Sequence, residues 1–204
     1  MFDARIRPLI DPPLNRIGRM LAHQGVSANH VTIASGVLGI LAGIAIARQA
    51  FGAGLLFILA SRLLDGLDGA VARATKPTDL GGYLDIVADF VFYVAVPVGF
   101  GFAAPQSTPY ALLLVASFTL TGVSFLAYAT IAAKRGIETE AHGRKSFFYS
   151  TGIAEGTETI AVFILMCLMP HWFPQIATVY AGLCVLTVTQ RTWAAAAMFK
   201  DPPQ

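Results

Sequence analysis

Six apolar runs, at about 31–47, 51–64, 86–104, 109–133, 148–169 and 175–197, constrain this chain more than any other feature. A backbone that crosses roughly 30 Å of hydrocarbon must satisfy its own hydrogen bonds, and single runs of this length do so as helices. The expected fold is therefore all-α, a polytopic membrane protein with six transmembrane helices and an N-terminal interfacial amphipathic helix. The composition agrees, with 55% hydrophobic and only 13% charged residues in 204, far from soluble-domain averages. No internal repeat or linker divides the chain, so we expect a cytoplasmic juxtamembrane segment at 1–28 and a single six-helix domain at 29–204. The second run is expected to continue as helix through Val71 and Ala72, past the bilayer, and the third to begin in water near Gly82.

Threading the runs as spans sorts the cations. Arg5, Arg7, Arg16, Arg19, Arg62, Arg73, Lys76, Lys134, Arg135, Arg144, Lys145 and Lys200 fall on the side of the N-terminus, and only Arg48 falls on the other. Positive residues in short loops stay cytoplasmic, so both termini and the chemistry are expected to face the cytoplasm of a cell-membrane protein. A net charge of +2, gathered on one face, suits anionic headgroups and phosphate-bearing substrates, and no nucleic-acid partner is expected. The first residues carry scattered charges and no continuous apolar stretch, unlike a cleavable signal peptide. Leu14, Ile17, Met20 and Leu21 instead make an apolar stripe, with Arg16 and Arg19 placed to reach anionic lipid. Cys167 and Cys184 lie inside runs without metal-ligand spacing and read as small buried apolar residues.

Against this apolar background four acids stand out. Asp65 and Asp68 are spaced i, i+3, and Asp85 and Asp89 i, i+4, so each pair shares one helical face. Carboxylates crowded together repel unless a cation such as Mg2+ takes their oxygens as ligands. Asp89 lies within LDIVADFVFYVAV, where an unpaired charge would cost at least a few kcal/mol. All four are therefore expected to bind metal. Asp79, after Pro77, fits neither spacing and reads as a solvated turn residue.

Asp65, Asp68-Gly69, Ala72-Arg73, Gly81, Asp85 and Asp89 together resemble the signature of the CDP-alcohol phosphotransferase family, D-x2-D-G-x2-A-R-x8-G-x3-D-x3-D. Every defined residue type is matched in order. The one departure is the turn ATKPTDL, seven residues long instead of eight, where a deletion is tolerated more easily than inside a helix. A weaker echo is ANHVT, which resembles the P-N-x-x-T opening the first span of many members and brings in Asn29 and Thr32. The resemblance implies six spans, a homodimer, two Mg2+ or Mn2+ ions, and a donor such as CDP-diacylglycerol that passes a substituted phosphate to an acceptor alcohol with release of CMP. Asp65, Asp68 and Asp85 would then be the main ligands, with Asp89 the general base also touching one ion. Asn29, Thr32, Gly69, Ala72, Arg73, Thr78 and Gly81 would line the CDP donor. Gly69 leaves room for a close ligand, and Arg73 offers a planar fork to a diphosphate.

The acceptor is expected to be held by later segments. Lys134, Arg135, Arg144, Lys145 and Arg191 suit a phosphorylated polyol such as glycerol 3-phosphate or inositol phosphate. Glu155 and Glu158 could pair with these bases, or face serine, ethanolamine or choline, which keeps the zwitterionic acceptors as an alternative. A divalent-cation transporter is the rival of another class, opposed by the nearly apolar outer halves of the third to sixth runs. A hydrolase would need no basic acceptor loop.

Overall fold

The computed structural model describes residues 3–136 and 152–200, with side chains from residue 10 onward. Among the described residues seven α-helices follow in order: α1 (Asp3–His23), α2 (Ala28–Ala47), α3 (Phe51–Ala74), α4 (Asp79–Ala103), α5 (Thr108–Lys134), α6 (Gly156–Leu168) and α7 (Phe173–Met198). Short 3₁₀ turns at Pro105–Ser107 and Pro170–Trp172 lead into α5 and α7. The protein is a multi-pass membrane protein, all-helical among the described residues, of which four stretches are long and apolar enough to cross a bilayer: Ala28–Ala47, Asp79–Ala103, Pro105–Lys134 and Pro170–Met198.

The other two expected spans differ for separate reasons. In α3, 24 residues long, the second half carries Arg62, Asp65, Asp68 and Arg73, so its charge sets it apart from the four apolar stretches. In α6 the helix has 13 residues, about 20 Å of rise, and begins at Gly156 although the apolar run starts earlier. The backbone before it is held by other partners. The N–H groups of Ile153 and Ala154 both donate to Thr187 Oγ1 on α7, at 3.1 and 3.0 Å, and Gly152 N–H donates to Glu155 Oε1 at 3.2 Å. Irregular backbone among apolar segments is tolerated where the protein itself supplies such acceptors.

Small residues bring α2 and α4 together. A Cβ at Gly39 would lie 3.2 Å from Phe92, and one at Gly43 would collide with the Ala95 carbonyl. In return, a Cβ at Gly99 would collide with the Gly43 carbonyl, so the two backbones touch as in small-residue membrane helix pairs. Between α2 and α3, Ser35 Oγ donates to Ser61 O at 2.9 Å and Ser61 Oγ to Ser35 O at 3.0 Å. Aromatic packing ties the second half to this frame, with Phe100 stacked on Phe173 at 4.5 Å and Phe92 against Phe163 at 5.5 Å. Cys167 and Cys184 are buried and free, as expected of small core residues.

The N-terminal helix uses part of its expected stripe. Leu14 is buried in a small cluster with Val31, Leu67 and Ala70, while Ile17 and Met20 are exposed. The reason is close approach, because a Cβ at Gly18 would lie 2.6 Å from the Ala70 Cβ, so α1 seats Gly18 and Leu14 on α3.

Candidate metal and nucleotide site

The helix order brings the polar ends together. The start of α2, the end of α3, the start of α4, the end of α5, the start of α6 and the end of α7 share one end of the bundle, where every candidate residue among those described resides. The turn after Thr75 reverses the chain, and Thr78 caps α4 by accepting the Gly81 N–H at 3.0 Å. Thr78 is thus the N-cap, a role that its position three residues before Gly81 allows. Asp79, expected in the turn, is the exposed first residue of α4.

Asp65, Asp68 and Asp85 converge, each offering one carboxylate oxygen, all within 4.8 Å of one another. Asp68 is buried on the α3 face toward Thr32, and its Oδ2 has no hydrogen-bond partner among the described residues. A buried, unpartnered carboxylate oxygen beside two more carboxylates fits a hard divalent cation such as Mg2+ or Mn2+, which takes oxygen ligands. The expected group of four divides three and one, since Asp89 Oδ1 accepts from Arg62 Nη1 at 2.6 Å. Arg62 also lies 3.5 Å from Asp65. Sequence reasoning counted Arg62 only as a topology charge. Its i, i+3 spacing to Asp65 was the available signal.

The donor-side candidates lie around this group. At Gly69 the one neighbour within 4 Å of a Cβ would be Arg73 Nη1, at 3.2 Å, so the helix surface there is open. Arg73 is exposed and donates through Nη2 to Asn15 Oδ1 at 2.9 Å, which ties it to α1. Gly81 faces Thr78 and Asn29, where a Cβ would lie 3.1 and 3.2 Å from their side-chain oxygens. Thr32 is buried and donates to Ala28 O at 3.1 Å, and Ala72 is half-buried.

The acceptor candidates are more dispersed. Lys134 and Arg135 are exposed at the end of α5, with Arg135 5.6 Å from the Phe199 ring. Arg144 and Lys145 lie outside the described residues. Glu155 is the N-cap residue of α6, and Glu158 sits in its first turn. Arg191 on α7 donates to Thr121 O at 2.8 Å and Ser124 Oγ at 2.7 Å on α5.

The sequence signature of the CDP-alcohol phosphatidyltransferase family matches residues 26–199. The chain belongs to that family. It is 43% identical over 195 residues, 95% of each chain, to the inner membrane protein YnjF of Escherichia coli (strain K12). It is 28% identical over 201 residues, 93% of this chain and 90% of the relative, to the archaetidylinositol phosphate synthase of Methanothermobacter thermautotrophicus. The crystal structure of Mycobacterium tuberculosis phosphatidylinositol phosphate synthase with CDP-DAG bound matches with a TM-score of 0.67 at 21% identity, over 93% of this chain and 98% of that one, so the two share a fold. Membership makes the chain a membrane transferase of phospholipid biosynthesis, in place of the ion-transporter alternative.

Proposed function

We propose that this CDP-alcohol phosphatidyltransferase moves a phosphatidyl group from CDP-diacylglycerol, or a similar CDP-linked lipid, to the hydroxyl of a phosphorylated polyol and releases CMP. The observation that carries the reading is the group of Asp65, Asp68 and Asp85 beside Asp89, with Gly69 next to Asp68 and Arg73 one turn beyond Gly69 on α3. The archaetidylinositol phosphate synthase relative and the CDP-DAG carried by the solved neighbour support the polyol phosphate and the lipid donor. In this reading all six apolar helices span the membrane, residues 1–28 lie at its surface, and the site faces the cytoplasm.

Divalent ions, two by the family resemblance, would be held by Asp65, Asp68 and Asp85 with Asp89 at their margin, and would neutralise the donor diphosphate and the leaving phosphate. Arg73 and the open surface at Gly69 bind and orient the CDP moiety, with Asn29, Thr32, Ala72, Thr78 and Gly81 lining it. Asp89 accepts the proton of the acceptor hydroxyl as that oxygen bonds to the donor phosphorus and the bond to CMP breaks. A carboxylate is a weak base for an alcohol, so proton transfer is concerted with attack. Lys134, Arg135, Arg144, Lys145 and Arg191 orient the acceptor's own phosphate.

Incubating the purified protein with CDP-diacylglycerol and Mg2+ tests this, with glycerol 3-phosphate, inositol phosphate, serine, ethanolamine and choline offered in turn and CMP followed. Release with a polyol phosphate alone is the expected result. Release with serine, ethanolamine or choline moves the acceptor to that class, and equal release without any acceptor makes the protein a hydrolase.

A further inference from the structure

Helix α1 lies ahead of the residues that carry the family signature, yet it touches the donor side of the site. Leu14 and Gly18, one helical turn apart, fasten it to α3. Leu14 is buried with Leu67 and Ala70, and its Cδ1 is 2.8 Å from where a Gly66 Cβ would lie. A Cβ at Gly18 would fall 2.6 Å from that of Ala70. Two such close approaches leave α1 little room to slide or turn. Asn15 stands at the edge of this seam, next to Leu14, and Arg73 follows one turn after Ala70 on α3.

Asn15 Oδ1 accepts from two nitrogens of Arg73, Nη2 at 2.9 Å and Nε at 3.3 Å. One edge of the guanidinium is thereby closed on α1. Nη1 takes no part in that contact and lies 3.2 Å from where a Gly69 Cβ would be, over the open surface of α3. An exposed arginine without such a tie samples many rotamers, and a ligand that binds it must order the side chain at a cost in affinity. We propose that Asn15 is a positioning residue for the CDP donor: it fixes one edge of Arg73 on α1, so that Nη1 and the surface at Gly69 face the diphosphate before it arrives. The inference rests on the reading of Arg73 and Gly69 as donor-binding residues. Charge explains why an amide serves here. Arginine offers only donors, so a neutral carbonyl oxygen orients it without cancelling its charge, whereas a carboxylate would neutralise the cation and repel the diphosphate.

The test is binding of CDP-diacylglycerol to the purified, detergent-solubilised protein with Mg2+ present, alongside the melting temperature. Asn15→Ala is expected to weaken binding about tenfold. Asn15→Asp, which keeps the hydrogen bonds, is expected to weaken it at least as much without lowering the melting temperature. A role confined to fastening α1 would be preserved by Asn15→Asp, since an ion pair makes the same tie. In a double-mutant cycle, Arg73→Ala is expected to weaken binding about tenfold or more, and adding Asn15→Ala to change it by less than about twofold, because no fork remains to position. Wild-type binding by either Asn15 variant overturns the proposal, as does an Asn15→Ala loss that persists in full beside Arg73→Ala. If Asn15→Ala does not fold, Asn15→Asp decides: weaker binding at an unchanged melting temperature supports the proposal, and wild-type binding overturns it. Wild-type binding by Arg73→Ala, or no binding by the wild type, sinks the donor reading itself, an outcome distinct from an Arg73 that matters beside an Asn15 that does not.

Discussion

The half of the molecule built from α2, α3 and α4 and the half built from α5, α6 and α7 hold their polar groups in different ways. In the first, backbones meet through Gly39, Gly43 and Gly99, Ser35 and Ser61 lock a helix pair, and the acids converge on unbroken helices. In the second, polar groups are engaged in holding irregular structure together. Thr187 accepts two backbone N–H groups ahead of α6, and Arg191 spans from α7 to α5. In the reading proposed above, the donor would be bound on the first of these frames, and the side chains that would meet the acceptor would come from the second.

The comparison breaks most sharply at Asp89. Asp89→Asn is expected to lower kcat by about a thousandfold or more while CDP-lipid affinity stays within about tenfold, because the base acts on the acceptor and three acids remain for metal. Steady-state kinetics with a separate donor-binding measurement distinguish the two, and an equal loss in both would assign Asp89 to donor binding. Next comes the frame itself. Gly43→Ala places a methyl group against the Ala95 carbonyl and is expected to destabilise the protein by about 1–3 kcal/mol, read as a lower melting temperature in detergent. An unchanged melting temperature would show that α2 and α4 can separate freely.

On the other half the expected effects are smaller and more selective. Arg191→Ala is expected to raise the acceptor KM by about tenfold with little change in donor KM. A variant with normal acceptor kinetics would leave Arg191 as a link between α7 and α5. The smallest effect belongs to the turn, where Thr78→Ala removes the N-cap of α4 and is expected to cost about 1 kcal/mol of stability. A donor KM that rises while stability holds would instead place Thr78 at the nucleotide.

Much of this was legible in the sequence, for physical reasons that also mark where legibility ends. Apolar runs and the acid spacing disclosed α2, α4, α5 and α7 and the meeting of acids from α3 and α4, because burial and helical period leave direct traces in residue order. The start of α6 left none, since the same apolar residues serve a helix or an extended segment, and a hydroxyl 34 residues away from Ile153 decided between them. In α1 the apolar stripe gave the segment but not the contact face, which Gly18 sets by close approach to Ala70. The partition of the four acids was hidden for a similar reason. Spacing shows which carboxylates share a face, but only the assembled helices show Arg62 reaching Asp89 across from α3 to α4.

Metal dependence of CMP release tests the central claim most directly. With CDP-diacylglycerol and an accepted alcohol present, excess chelator is expected to abolish CMP release, Mg2+ or Mn2+ in excess of the chelator to restore it, and Asp65→Ala to prevent that restoration at ordinary ion concentrations. Full activity in excess chelator would contradict the account, because Asp65, Asp68 and Asp85 would then converge without an ion to hold.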